Sequence, residues 1–364
     1  MTAFVESCVE TAAGSALAAE RGSRKFPKVR KLLRALASKR RVLVTTHQHP
    51  DPDGLASALG MRALLSQKLP QTEFNLSVKG HVGGGINEAF VRYAKLNLTP
   101  WNEESLSQYD AIVLLDTQPT FAYSPLPQGV DALAVIDHHH AKGRRLHYPY
   151  TDIRSDVGAT SSIVFSYFME TETPISRHLA ATLLYGIETD LAGAAGTPTE
   201  LDNIALSSLT LLADTRLLYQ MRYVDLPQSY YVAYAQGLAT AQWYEHALVS
   251  HLKTIDSPEK PAVLADFLLR FDAVDWALVT AVFQNRLILS LRTSNLRFSA
   301  SDIMQKLVRG IGEGGGHRTK AGGFVALQNG SATELERIRA MLLRRYLRAV
   351  GLNTSKGLPL VPPA

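Results

Sequence analysis

Val42-Leu43-Val44-Thr45-Thr46-His47-Gln48-His49-Pro50-Asp51-Pro52-Asp53-Gly54 is the stretch whose reading decides the fold. Val42 to Val44 form a short apolar run of the length a buried strand needs, and a helix follows from about Gly54 to Lys68. The polar run between them therefore sits at the carboxyl end of a strand. In open α/β sheets that is where ligands bind. The alternation of Asp51 and Asp53 sends two carboxylates out of one turn in related directions, and His47 lies within reach four residues earlier. Hard carboxylates with an imidazole suit Mn²⁺ or a similar divalent ion.

The same pattern recurs downstream. Apolar runs at 74–78, 111–115 and 133–136 read as further strands, with helical or irregular segments between them. Helices are predicted at 159–169 and 176–188, and Val29, Leu32, Leu33 and Leu36 form one face of an earlier one. Strands alternating with helices imply a parallel sheet covered on both faces. Asp116 ends the third apolar run, Asp137-His138-His139-His140 ends the fourth, and Asp190 stands near the end of a helix. One Asp after a strand is commonly a helix cap or turn former. Several such groups at neighbouring strand ends are different, because clustered carboxylates repel one another without a cation.

Beyond this region the chain reads as mostly helical from about Leu206 to His251, a connection between domains. The pattern restarts near Lys260. A hairpin is expected from 277–283 and 287–291 across Gln284-Asn285-Arg286, then a helix at 301–309 and a glycine-rich turn at Gly312 to Gly316. A strand from Gly323, a last helix at 332–350 and a frayed Pro-rich tail complete the reading. Weaker candidates are the loop His81 to Gly85 and the segment Gly158 to Ser162, which reads either as a plain helix start or as one facing a phosphate. Asp152 and Asp156 read as caps for that helix.

Composition bounds the rest. A chain of 364 residues favours two domains and can bury a sizeable core without disulfides. The single cysteine, Cys8, excludes an internal disulfide and a multi-cysteine zinc site. No apolar run approaches the ~18 residues of a membrane span. Glu6, Glu10 and Glu20 argue against a secretory or transit segment, so a cytoplasmic location is expected. The net charge of +5 is uneven: ten Lys or Arg and no acid lie between Arg21 and Arg41, which leaves the remainder mildly acidic. That segment reads as a solvated helix face or as a guide for polyanions.

His47-x-x-x-Asp51-x-Asp53, then Asp116, Asp137-His138-His139 and Asp190, resemble the four-motif signature of the DHH phosphoesterases, in order and spacing over residues 41–205. Gly314-Gly315-Gly316-His317 with Ala321-Gly322-Gly323 resembles the glycine-rich motif of that family's associated domain. The resemblance implies a Rossmann-like parallel-sheet α/β domain and a smaller mixed-sheet α/β domain, with the active site in the cleft between them. The expected boundaries are a disordered 1–25, a catalytic domain at 26–205, a helical linker at 206–255, a substrate-binding domain at 256–351 and a tail at 352–364. His47, Asp51 and Asp116 would hold one of two divalent ions, Mn²⁺ for preference. Asp53, Asp116, His138 and Asp190 would hold the other. His139 would contact the substrate phosphate, and Asp137 would orient an imidazole. Arg292, Gly314, Gly315, Gly316 and His317 would grip the rest of the substrate. Glu313 and Lys320 depart from the family pattern at that end, and His49 and His140 have no assigned role.

The short two-domain form resembles nano-ribonucleases that also dephosphorylate 3′-phosphoadenosine 5′-phosphate. The implied substrates are short oligonucleotides or small nucleotides, with no membrane and no long duplex as partner. Linear or cyclic dinucleotides are a competing class. Pyrophosphatases share the metal motifs but have a different second domain. A nucleotide-binding regulator without turnover is the reading of another kind.

Overall fold

Val42, Leu43 and Val44 are fully buried, as both-face coverage requires, and they form the second strand of a five-stranded sheet. The computed structural model describes residues 28–80, 82, 85–121, 123–140, 148–191, 198–316, 318–354 and 356–362. The chain divides into two compact units, the first reaching Val224 and the second beginning at Asp225.

In the first unit α1 (Lys28–Leu36) precedes β1 (Arg41–Thr45), α2 (Pro52–Lys68), β2 (Glu73–Leu76) and α3 (Gly85–Tyr93). Then come β3 (Ala111–Leu115), β4 (Ala134–Asp137), β5 (Tyr150–Ile153), α4 (Thr160–Glu170), α5 (Arg177–Leu191), α6 (Glu200–Leu212) and α7 (Thr215–Arg222). The strand order is β2-β1-β3-β4-β5, and every neighbouring pair is parallel. The direction of winding reverses between β1 and β3, the switch point where ligands of such sheets bind. α2 is buried almost all round, with Leu55, Ala56, Met61, Leu64 and Leu65 inside, because it lies among the sheet, α4 and α5.

The second unit holds α8 (Gln228–Thr240), β6 (Gln242–Tyr244), β7 (Ala247–Thr254), α9 (Lys260–Leu268), β8 (Trp276–Phe283) and β9 (Arg286–Thr293). α10 (Ala300–Val308), β10 (Gly312–Gly316), β11 (Lys320–Ala326), α11 (Ala332–Ala349) and β12 (Leu358–Pro359) follow. Its sheet runs β10-β11-β9-β8-β7-β6-β12 and is mixed, since β7 and β8 are parallel and the other pairs antiparallel. Leu248, Leu252, Ala277 and Val279 pack under α8 and α9, while Val249, Trp276 and Leu278 pack under α10 and α11. This period-two alternation is that of a sheet covered on both faces.

Four expectations are corrected. Gly312 to Gly316 is not a turn but an edge strand in register with Ala321 to Val325. The stretch 206–255 is helical only to Thr240; β6 and β7 follow within it. Leu358 and Pro359 are not frayed but pair with Trp243 and Gln242. Asp152 caps no helix: the residue before α4 is Ala159, with no side-chain cap. Asp152 lies on β5, which went unread because only Tyr150 and Asp152 of its four residues are buried.

Asp152 instead accepts hydrogen bonds from Lys28 Nζ at 2.5 Å, Arg154 at 2.8 Å and the Tyr167 hydroxyl at 2.7 Å. Burial alone would raise its carboxyl, but Arg154, then Lys28 and Tyr167, hold it below the ordinary carboxylate range. A carboxylate with a depressed pKa contributes stability above its unfolded value and loses it as pH falls through its folded value. Removing it leaves Arg154 in a buried setting with Glu170 at 4.0 Å as its nearest remaining carboxylate. Asp152→Ala is therefore expected to cost about 3 kcal/mol at neutral pH. The gap from wild type should narrow below about pH 4. Urea denaturation across that range measures it, and a gap that stays constant into acid contradicts the assignment.

Candidate metal centre

The carboxyl ends of β1, β3 and β4 lie side by side, so the polar residues that follow them converge. After β1 comes His47. Asp51 then caps α2 with extended backbone, its side chain accepting the Gly54 N–H at 3.1 Å, and Pro52 opens the helix. Gly54 has room only for hydrogen: a Cβ there would stand 2.6 Å from Thr46 Oγ1 and 3.1 Å from His47 Nε2. The first turn of α2 thus rests directly against His47.

Asp116 keeps its N–H on Ile136 O at 2.9 Å and then turns out of β3 at φ 56°. Non-glycine residues seldom enter that left-handed region, at a cost of order 1 kcal/mol. Its Oδ2 lies 3.6 Å from His47 Nε2, and its Oδ1 lies 3.4 Å from His138 Nε2. Asp51 Oδ1 is 3.7 Å from His47 Nε2, and Asp190 Oδ2 is 3.3 Å from His138 Nε2. Among the described residues three groups result, each with one ligand atom per residue and those atoms within 4.8 Å of one another: His47, Asp51 and Asp116; Asp53, His138 and Asp190; and Asp116, His138 and His139. Asp116 is common to the first and third.

The donors fit divalent cations on charge as well as distance. Asp53 is fully buried, and burial, then Asp190, pushes its carboxyl up to about 7. Burial, then Asp53, raises Asp116 well above the carboxylate range. Burial opposes a charge on His138, yet Asp190 and Asp116 hold its pKa well above that of an ordinary imidazole. Such crowding of buried carboxylates is the electrostatic signature of a cation site.

Other residues fix these donors. Thr160 N donates to Asp53 Oδ2 at 2.7 Å and Ser161 N to Asp53 Oδ1 at 2.9 Å. The first two amides of α4 therefore face a carboxylate of this chain. Thr160 Oγ1 donates to Asp116 Oδ1 at 2.7 Å. Asp137 is buried and takes His139 Nδ1 at 2.7 Å and Gln118 Nε2 at 2.8 Å, and Gln118 also reaches His139 O at 3.1 Å. Gln118 and Thr160 had no assigned role from sequence. Nor had Phe121 and Tyr123, whose rings lie 6.2 and 6.4 Å from that of His139, with Tyr123 6.0 Å edge-on to His47. Their only sequence signal is an aromatic pair in a polar loop.

The residues expected from sequence to grip the substrate lie in the second unit. Arg292 on β9 pairs through Nε with Asp266 at 2.6 Å and through a guanidinium nitrogen with Ser290 Oγ at 3.0 Å. Lys320 is its register partner on β11. Gly314, Gly315 and Gly316 belong to β10, and His317 lies outside the described residues, as do His81, Gly83 and Gly84. His49 and His140 are exposed and belong to none of the three groups.

Removing the Asp116 charge should have opposite effects with and without metal. In chelator, Asp116→Asn relieves carboxylate repulsion, and the variant should melt above wild type by roughly 2–4 °C for each kcal/mol gained. With Mn²⁺ at about one hundred times its Kd, wild type should gain about 2.7 kcal/mol per site and the order should reverse. Circular-dichroism melts of both proteins in both buffers decide it; an order unaffected by Mn²⁺ speaks against a cation at Asp116.

Residues 41–187 match the model of the DHH family, N-terminal domain. An uncharacterised protein of Methanocaldococcus jannaschii is 26% identical over 309 residues, 85% of this chain and 63% of that protein. A probable manganese-dependent inorganic pyrophosphatase of Clostridium acetobutylicum is 27% identical over 176 residues, 48% of this chain and 55% of that protein. The chain thus spans less than two thirds of the length of these relatives. Among solved structures, an exopolyphosphatase-related protein from Bacteroides fragilis superposes with a TM-score of 0.66 at 16% identity, over 88% of this chain and 97% of that one. RecJ of Thermus thermophilus, in complex with Mn²⁺, gives 0.51 at 15% identity, over 92% and 61%. These likenesses are of fold. With the motif residues at the strand ends, the sequence match identifies residues 41–187 as a DHH-family N-terminal domain.

Proposed function

We propose that this protein is a metal-dependent phosphoesterase that hydrolyses short oligonucleotides, 3′-phosphoadenosine 5′-phosphate, or both, in the cytoplasm. The observation that carries the reading is Asp116, one buried carboxylate shared by two ligand groups at the β1/β3 switch point. His47, Asp51 and Asp116 would hold one ion, and Asp53, Asp116, His138 and Asp190 the other. Two such ions, Mn²⁺ by preference, would lower the pKa of a water toward neutrality and offset charge on the phosphate.

The remaining residues orient and neutralise. Asp137 accepts from Nδ1 of His139, so any contact of that ring with a phosphoryl oxygen is made through Nε2. Gln118 secures both Asp137 and the His139 carbonyl, which fixes the ring before substrate arrives. Arg292 and the glycine strand β10 would serve the non-reacting part of the substrate. The glycines there offer backbone groups without side chains in the way.

Pyrophosphate is the rival substrate, since pyrophosphatases stand among the relatives. Their match, however, covers only 48% of this chain. A panel of dinucleotide, 3′-phosphoadenosine 5′-phosphate, cyclic dinucleotide and pyrophosphate, each with Mn²⁺, separates these readings. Hydrolysis of the first two should dominate, and rates should fall steeply for chains longer than about five nucleotides, because affinity would come from one end pocket and not from a long phosphate-tracking groove. Asp116→Asn should lower kcat by several orders of magnitude on every substrate cleaved. Arg292→Ala should act chiefly on KM for nucleotides and spare a generic small phosphodiester. Full activity after exhaustive metal removal would falsify the proposal, and preference for pyrophosphate would reassign the substrate.

A further inference from the structure

A buried carboxylate outside the ligand groups reaches the centre through one peptide bond. Asp202, in the first turn of α6, is fully inaccessible. Its Oδ2 accepts the Thr199 N–H at 2.9 Å while its own N–H donates to Thr199 Oγ1 at 3.3 Å, a capping box that α6 alone would explain, and Oδ2 also accepts Thr199 Oγ1–H at 2.7 Å. The same oxygen accepts the Gly158 N–H at 2.8 Å, which a helix cap does not need. That N–H shares its peptide plane with the carbonyl of Val157. Val157 O lies 3.2 Å from Nδ1 of His138. A carbonyl has no proton to give, so Nδ1 is the donor.

The approach depends on glycine at position 158: a Cβ there would stand 2.4 Å from Leu191 Cδ2 and 2.9 Å from Asp202 Oδ2. Oδ1 of Asp202 is buried with no hydrogen-bond partner among the described residues. An N–H bound to a carboxylate makes a strong bond and draws negative charge onto the carbonyl of the same amide. Val157 O is then a better acceptor for His138. A histidine held at one nitrogen by such an acceptor presents the other as a more basic ligand. Here that nitrogen is Nε2, the atom beside Asp116 and Asp190. Two residues past Gly158, α4 begins with the amides that hold Asp53.

We infer that Asp202 is a positioning residue of the metal centre. Acting through the Val157–Gly158 peptide, it holds His138 with the proton on Nδ1 and Nε2 turned to the ligand cluster. This rests on the reading that the cluster binds divalent ions. The test compares the full-length protein with Asp202→Asn and Thr199→Val. Free Mn²⁺ is measured by electron paramagnetic resonance as the metal-free proteins are titrated. Histidine side-chain nuclear magnetic resonance is read on the proteins loaded with diamagnetic Zn²⁺. Asp202→Asn should weaken Mn²⁺ binding ~10-fold and move the His138 Nδ1–H resonance upfield. Thr199→Val removes the hydroxyl's bonds to Asp202 but keeps the Thr199 and Gly158 N–H bonds to its Oδ2, so it should lower the melting temperature and leave both readings in place. Wild-type affinity and an unmoved resonance in Asp202→Asn overturn the inference and reduce Asp202 to a cap. If that variant does not fold, the wild-type spectrum decides: a Gly158 amide proton shifted downfield, as a carboxylate acceptor makes it, upholds the assignment, and an ordinary amide shift overturns it. Failure of the wild-type protein to bind Mn²⁺ at all would instead count against the proposed function.

Discussion

The burial of several carboxylates at the ends of three adjacent parallel strands is the constraint on which the rest of the first unit depends. Parallel strands point their carboxyl ends one way, so the residues after β1, β3 and β4 meet whether or not their charges agree. Asp116 stands in the middle of that meeting, 2% exposed and in left-handed backbone. No simple gain in stability accounts for an acid so placed. The surroundings stabilise it piecemeal: Thr160 donates to one oxygen, and the imidazoles of His47 and His138 flank the two. Local strain and charge crowding persist where the rest of the fold over-determines the geometry, and such places are commonly functional.

Much of this was legible in the sequence because the strands of a doubly covered sheet are short and apolar. Val42 to Val44, Ala111 to Leu115 and Val135-Ile136 stand out from their flanks, and the acids and histidines after them are placed by topology alone. What escaped depends on partners distant in sequence. β5 alternates buried and exposed residues because it lies at the sheet edge, so it carries no apolar run. Gly312 to Gly316 reads as a turn by composition, yet pairing with β11 makes it a strand. Gln118, Thr160 and Asp202 are ordinary polar residues until the packing of α4 and α6 shows what each touches. Local propensity says nothing about contacts across forty residues.

In the second unit, Arg292 is not an exposed cation on an open surface. It is largely buried and bound to Asp266 and Ser290. A guanidinium so held keeps its planar fork in one orientation and loses less freedom on meeting an anion. Asp266 also offsets part of its charge. An anionic substrate at this position would therefore compete with Asp266, which favours a ligand bearing more than one negative charge.

The helix terminus at α4 raises a related question of how phosphate would be neutralised. Helix N-termini are ready sites for anions, and Gly158 to Ser162 has the composition of one. Here the first amides are taken by Asp53, one hydrogen bond to each of its oxygens. Those bonds favour the ionised form, while burial and Asp190 favour the neutral one, and the balance leaves Asp53 about 7. A carboxylate near that balance is one whose charge a cation readily secures. The first two amides of α4 thus serve an acid of the protein. Under the proposed function, neutralising a bound phosphate would then fall to His139 and to the cations that the carboxylates would hold. That makes the arrangement of Asp53, Asp116 and Asp190 the limiting element of the site.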